Sequence, residues 1–276
     1  MLTPATSLDD ALAALQTPGT QILAGGTDVY PVLQDHGPAE TVIDISRIPA
    51  LRGLEVGTDR IRIGAATCWT DIAKADLPPA LFALQRAARQ IGGRHIQNAG
   101  TIAGNICNAS PAADGIPPLL ILDAEVELHS HRGQRSVPLE KFVTGNRQTL
   151  RKPDEIITAI TLPSPAPDAT SAFEKLGSRS YLVISIAMVA LLVQLEPDGR
   201  IRQARVAVGA CSPVAQRLED LEKSLIGQSI TSALIDKVHL QSLSPIDDAR
   251  GSAEYRRIVV ARLIRRALQN AGSGHG

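Results

Sequence analysis

Apolar residues at Leu8, Ala11, Leu12 and Leu15 recur at helical spacing behind Ser7, and Ser7 with Asp10 outlines a capping box. Pro18-Gly19 stops that helix, and Thr20–Ala24 then reads as a short strand running into Gly25-Gly26. A second strand is expected at Thr41–Ile45, which completes a βαβ-like opening. From Leu54 to Ala65 the pattern alternates, with Ile61 and Ile63 facing opposite to Arg60 and Arg62. Thr70–Ala75 and Pro79–Ile91 carry helical periodicity, the second ending at Gly92-Gly93. Alternation resumes at Ala124–His129, turns through His131-Arg132-Gly133 and continues toward Leu139 as a hairpin.

Pro163, Pro165 and Pro167 forbid a regular helix and mark a boundary. Beyond them Leu182–Gln194 and Ile201–Gly209 are β-rich runs, joined by the hairpin turn Glu196-Pro197-Asp198-Gly199. Val214–Leu225, Ile230–Leu240 and Ala253–Leu268 then predict three helices, and a sheet with helices on one side is the natural packing of that order. Ala271–Gly276 is expected to be a disordered tail.

Composition narrows the functional classes. The 276 residues are 44% hydrophobic, enough for a large buried core. The 28 basic and 28 acidic side chains cancel, and no basic block interleaved with aromatics is present, which argues against nucleic-acid binding. Cys68, Cys107 and Cys211 are odd in number and widely spaced, so each is expected to be a small buried hydrophobe. No Lys or Arg precedes Arg47, unlike an ordinary secretory signal. The longest apolar stretch, Leu182–Leu195, contains Ser185 and Gln194 and is short for a membrane span. A soluble cytoplasmic protein is expected.

Hydrolytic and zinc chemistry find little support. Ser110 and Asp114 follow His95 but lack a nucleophile-elbow pattern, and His129 and His131 have no nearby ligands to complete a metal set. The chemistry concentrates instead in two glycine-rich runs, Gln21–Asp28 (QILAGGTD) and Gly92–Asp114 (GGRHIQNAGTIAGNICNASPAAD). Neither has the spacing of a dinucleotide fingerprint. Adjacent glycines admit close backbone approach, and successive amides make an anion-binding nest. In the second run, too small and polar for core, Gly100 and Gly104 allow passage along an extended ligand, while Thr101, Asn105, Asn108 and Ser110 offer short hydrogen-bonding side chains. Asp114 suits a hydroxyl on a sugar-like or ribityl chain. Taken singly, the first run reads equally as a sharp turn with no ligand, and the second has the alternative of a tightly turned loop filled by its own hydrogen bonds. Taken together they suit a flavin dinucleotide.

The same residues carry a resemblance. Leu23–Pro31 (LAGGTDVYP) is similar to the first flavin-contact motif of the FAD-binding medium subunit of the molybdenum hydroxylase family, the family of xanthine dehydrogenase and carbon monoxide dehydrogenase flavoproteins. Arg94–Asp114 resembles the second motif of that family, Ile116–Leu128 its continuation, and Phe173–Arg179 with Tyr181 and Ser185-Ile186-Ala187 the start of its C-terminal region. The resemblance implies an α+β fold. Its FAD-binding part is of the vanillyl-alcohol-oxidase-like type, in two pieces at 1–55 and 56–168, followed by a C-terminal flavoprotein domain at 169–276 with a small antiparallel sheet and helices.

It further implies that Ala24, Gly25, Gly26, Thr27 and Asp28 hold the diphosphate end of FAD, with Thr101, Gly104 and Asn105 on the other flank. Ser110 and Asp114 are expected near the ribityl or phosphate region, Lys175 near the flavin, and Tyr181 at the ring or as a core tyrosine. Ala103 stands where relatives often carry glycine, which strains the chain only if that position needs positive φ. No residue is expected to be catalytic in the substrate reaction. The implied partners are a large subunit with a molybdenum-pterin cofactor and a small subunit with two 2Fe-2S clusters, in a heterotrimer able to dimerise. Electrons would pass through FAD to an external acceptor such as NAD, oxygen or a quinone. A stand-alone flavin reductase or oxidase, and a non-catalytic structural subunit, remain the alternatives.

Overall fold

The structure is a computed structural model describing residues 2–31 and 41–272. Its first unit contains β1 (Leu2–Pro4), α1 (Leu8–Ala14), β2 (Gln21–Leu23) and β3 (Val42–Asp44), with the strands parallel in the order β1-β3-β2. The α1 capping box is present: the Ser7 hydroxyl accepts from the Asp10 amide, and the Asp10 carboxylate accepts from the Ser7 amide, each at 3.1 Å. That start points Ala11, Leu12 and Leu15 into a small core with Ile43, Ile45, Ile48 and Leu51.

The second unit begins with β4 (Leu54–Val56) and β5 (Arg60–Gly64), followed by helices α2 (Trp69–Lys74), α3 (Phe82–Gln90), α4 (Arg94–Ala99), α5 (Ile102–Asn108) and α6 (Ile116–Leu120). Then come β6 (Glu125–Ser130), β7 (Gly133–Pro138), α7 (Leu139–Phe142), β8 (Val143–Gly145), β9 (Gln148–Thr149) and β10 (Ile156–Pro163). Five of these strands form one antiparallel sheet, ordered β4-β5-β10-β6-β7. Ile61 and Ile63 of β5 are fully buried, as the alternation with Arg60 and Arg62 requires. The central strand β10 is buried from Ile156 to Leu162, with Thr158 and Thr161 the polar residues in an otherwise apolar run.

The second glycine-rich run departs from its expected form. Expected to be too small and polar for core, it forms largely two short helices, α4 and α5, and Ile102, Ala103 and Ile106 of α5 are buried. Thr101 caps α5 by accepting from the Gly104 amide at 3.1 Å.

The C-terminal unit is an antiparallel meander of β11 (Thr170–Leu176), β12 (Ala187–Leu195), β13 (Ile201–Gly209) and β14 (Gln216–Arg217), with helices α8 (Glu219–Leu225) and α9 (Ala253–Gly272). The Glu196–Gly199 turn joins β12 to β13, closed by the Gly199 amide donating to the Glu196 carbonyl at 2.9 Å. Both faces of this sheet are covered. Val189, Leu191, Val193, Val206 and Val208 pack with Val260, Ile264 and Leu268 of α9, while Phe173, Met188, Ala190 and Leu192 join the core of the preceding unit.

Three expectations here are corrected. Ile230–Leu240 is not an α-helix: only Lys237–Leu240 forms a single 3-10 turn. Val214–Leu225 is helical only from Glu219, since Gln216 and Arg217 pair with β13 instead. The first β-rich run begins as a strand at Ala187, not Leu182. The expected disordered tail, Ala271–Gly276, falls mostly outside the described residues, but Ala271 itself is buried in the last turn of α9. Among the described residues no helix is long and apolar enough to cross a membrane.

Candidate cofactor site

The two glycine-rich runs touch. An added Cβ on Gly25 would lie 1.9 Å from the Ala99 carbonyl oxygen and 3.0 Å from the Gly100 Cα, so only glycine lets the first run reach the second. Gly26 has φ +70°, which turns the chain back over that contact. Beneath both runs lies the fully buried Trp69, whose amide donates to the Gly100 carbonyl at 3.2 Å. Close packing of the runs is thus a property of this fold, and the space they enclose is bounded by backbone.

That space is a cavity of about 680 Å³, within the range of about 300–1,000 Å³ common to ligand clefts. Ala24, Gly25, Gly26, Thr27 and Asp28 line it from the first run, and Thr101, Gly104 and Asn105 from the second. Ile91, Ile96 and Ile157 give it an apolar wall. Asn105 contributes a side-chain oxygen that is buried without a hydrogen-bond partner among the described residues. That oxygen is packed inside the wall, 2.8 Å from where a Cβ on Gly115 would lie and beside the Trp69 ring, so it does not open on the cavity. Apolar walls for a flat ring system and glycine-loop amides for phosphates fit FAD. Ala103 has no positive φ and sits inside α5, so its replacement of a glycine brings no backbone strain.

Ser110, Asp114, Lys175 and Tyr181 do not line this cavity. The Ser110 hydroxyl accepts from the Ala112 amide at 3.2 Å, closing a local turn. Asp114 and Lys175, 61 positions apart, are brought together: the Lys175 ammonium donates to Asp114 Oδ2 at 2.6 Å and to the Gln90 carbonyl at 3.3 Å. The Ser185 hydroxyl takes the other carboxylate oxygen, at 2.5 Å. The Lys175 and Asp114 side chains are only 5% and 9% exposed, so Lys175 is not a solvent-facing charge. Burial pushes the Asp114 carboxyl upward, against the pull of the Lys175 ammonium and the Ser185 hydroxyl. Tyr181 is 52% exposed and is not a core tyrosine; its hydroxyl lies near Gly93, at the edge of α4.

Two basic residues at the cavity, Arg147 and Arg151, went unmarked in the sequence. They sit on the stretch between β8 and β10, which has neither glycine pairs nor clear periodicity. Cys107 also lines the cavity and is exposed, whereas Cys68 and Cys211 are buried as small apolar residues are. Burial pushes the Cys211 thiol up to about 12.

The β10 end of the wall is anchored by Glu155, which Arg135 grips through two bonds of 2.7 and 2.8 Å. That fork holds the Glu155 carboxyl below its ordinary range. A lowered folded-state pKa adds stability above the unfolded carboxylate value, about 4.3, and the contribution is lost as pH falls through the lowered value. Arg135→Ala is therefore expected to lower stability at neutral pH and to move acid unfolding to higher pH. A circular-dichroism pH titration checks this, and an unmoved acid midpoint would refute it.

Comparison with known proteins agrees with this architecture. Residues 2–165 match the family model described as the FAD binding domain in molybdopterin dehydrogenase, and residues 171–271 match the CO dehydrogenase flavoprotein C-terminal domain. The chain is 32% identical over 280 residues to the xanthine dehydrogenase FAD-binding subunit of Escherichia coli O157:H7, covering 99% of this chain and 96% of that one. It is 32% identical to the glyceraldehyde dehydrogenase medium chain of Sulfolobus acidocaldarius, covering 96% and 95%. The reconstituted CO dehydrogenase from Oligotropha carboxidovorans contains a chain that superposes with a TM-score of 0.90 at 26% identity, covering 99% of this chain and 97% of its own. With both family models matched in order along the chain, this protein belongs to the family of FAD-binding medium subunits of molybdenum-dependent dehydrogenases.

Proposed function

We propose that this subunit holds FAD in the cavity between the glycine-rich runs and passes electrons from 2Fe-2S clusters of a small partner subunit to an external acceptor. In this reading a large partner oxidises the substrate at a molybdenum-pterin cofactor, and the three chains form a cytoplasmic heterotrimer. The observation that carries the proposal is the contact of Gly25 with Ala99 and Gly100, which joins two dispersed runs into one ligand-sized cavity. Bound FAD would supply the redox chemistry, accepting electrons singly and releasing them in pairs.

The protein's part is positional. Gly25, Gly26 and Thr27 present amides and a hydroxyl at the loop, with Ala24 and Asp28 flanking them, and Thr101, Gly104 and Asn105 face them across the cavity. Asn105 lines the wall opposite the loop and packs its side-chain oxygen against Gly115. Ser110 and Asp114 shape the end of the second run, and Lys175 fixes Asp114 there. Tyr181 stands on the exposed segment beyond β11, beside Gly93. No residue of the chain acts on the organic substrate.

Co-expression with both partner subunits tests the reading. The purified assembly should contain one FAD per copy of this chain, and that flavin should bleach when substrate is added without oxygen. An intact assembly without flavin would return the glycine runs to a structural role. Turnover of an organic substrate by this chain alone would favour an independent flavoenzyme.

A further inference from the structure

Among the described residues lining the cavity, Asp28 is the one acidic side chain, and Arg147 and Arg151 are the basic ones. Asp28 is engaged by Asn108, whose side-chain amide donates to Asp28 Oδ1 at 3.1 Å. The Asn108 oxygen in turn accepts from Arg147 Nη1 at 2.9 Å. A hydrogen-bonded chain therefore runs from the glycine loop, two residues past Gly26, through α5 to a guanidinium 119 positions away in sequence.

The backbone at Arg147 is held as firmly. Arg147 has φ +56°, and its amide donates at 3.0 Å to the carbonyl of Ala109, which ends α5 with φ +45°. A left-handed backbone at a non-glycine residue is strained, and such strain persists where the surroundings impose a position. Here two strained residues meet through one bond at the cavity rim. Arg151 is committed otherwise, since its Nη1 donates to the Lys152 and Glu155 carbonyls of its own loop. Beyond the bond to Asn108, the Arg147 guanidinium has no side-chain partner among the described residues.

We propose that Arg147 is the cation that clasps the diphosphate of the cofactor, positioned at the glycine loop by Asn108 and Asp28. The inference rests on the FAD reading above and deepens it. Amide nests supply only partial charges, whereas a diphosphate brings roughly two full negative charges into a cleft of mixed polarity. A guanidinium matches phosphate oxygens in a fixed fork, and one bond to Asn108 still leaves most of its donors. Asn108 sets the direction of that fork without cancelling its charge, which a carboxylate in the same place would do.

The test is a titration of the assembled complex with FAD after the flavin has been stripped by a chaotropic salt, followed by quenching of flavin fluorescence. Wild type should rebind FAD with an affinity that falls as salt rises. Arg147→Ala should weaken binding at least tenfold at low salt and lose most of the salt dependence, and Arg147→Lys should recover part of both. Assembly is checked by size exclusion, and the Lys variant keeps the comparison usable if the Ala variant assembles poorly. An unchanged affinity in Arg147→Ala would overturn the assignment, as would equal losses in the Ala and Lys variants that salt does not alter. If the wild-type complex itself takes up no FAD, the flavin reading fails and Arg147 is not the cause.

Discussion

Gly25→Ala is expected to empty this subunit of flavin while its C-terminal unit stays folded. The new Cβ would sit 1.9 Å from the Ala99 carbonyl oxygen, and both groups are backbone-bound, so no rotamer relieves the overlap. The runs must part by about an ångström, which opens the cavity on the side where the first run closes it. Overpacking of this kind costs about 1–3 kcal/mol. Felt in the flavin-competent geometry, it weakens FAD by roughly ten- to a hundredfold. The flavin-to-protein absorbance ratio of the co-purified complex reads the effect. Gly199→Ala is the control, because Gly199 has φ +82° and faces open space in the β12–β13 turn, which does not line the cavity, so its variant loses stability and keeps its flavin. Full flavin in Gly25→Ala would show that the contact between the runs is dispensable. Gly26 is a poorer probe: φ +70° and the nearby Tyr30 ring make any substitution there strained whatever the ligand does.

The second large effect is expected at Asp114 and Lys175. Lys175→Met leaves a carboxylate buried with only the Ser185 hydroxyl, and Asp114→Asn leaves an ammonium buried beside one carbonyl and an amide. Removing one partner of a buried pair costs about 3–5 kcal/mol, which for a chain of this size lowers Tm by roughly 10 °C. The double variant Asp114→Asn, Lys175→Met removes both charges and should recover most of the loss, since a buried ion pair competes poorly with neutral packing. Differential scanning fluorimetry on the three variants decides this. A double variant as unstable as the sum of the singles would mean that the two residues act separately.

Much of the fold follows from local signals that the tertiary structure had no reason to override. The capping box at Ser7, the alternation of Ile61 and Ile63, and the Glu196–Gly199 turn each combine a residue type with a backbone need. Where Ile230–Leu240 was expected to be helical, periodicity misled, because Leu234 and Val238 are exposed and only a 3-10 turn forms. The second glycine-rich run reads as too small and polar for core because most of its apolar residues are alanine. Ile102, Ala103 and Ile106 are nevertheless spaced to bury one side of a short helix. The cavity was legible in its glycine lining and not in its charge. Arg147 earns no notice in sequence, since its position depends on a left-handed backbone and on Asn108, both set by tertiary contact. Asp114 and Lys175 were both singled out, but their pairing spans two units that local pattern cannot relate.

The seam between the two family models falls in the segment containing Pro165 and Pro167, yet β11 is fastened across it. Ser171 accepts from the Ala83 amide at 2.9 Å, Glu174 receives Arg86 from α3 and Arg266 from α9, and Phe173 lies in the core of the preceding unit. A graft that exchanged the C-terminal unit between relatives at that seam would therefore have to match the incoming strand to the host's α3 as well as to its own helices.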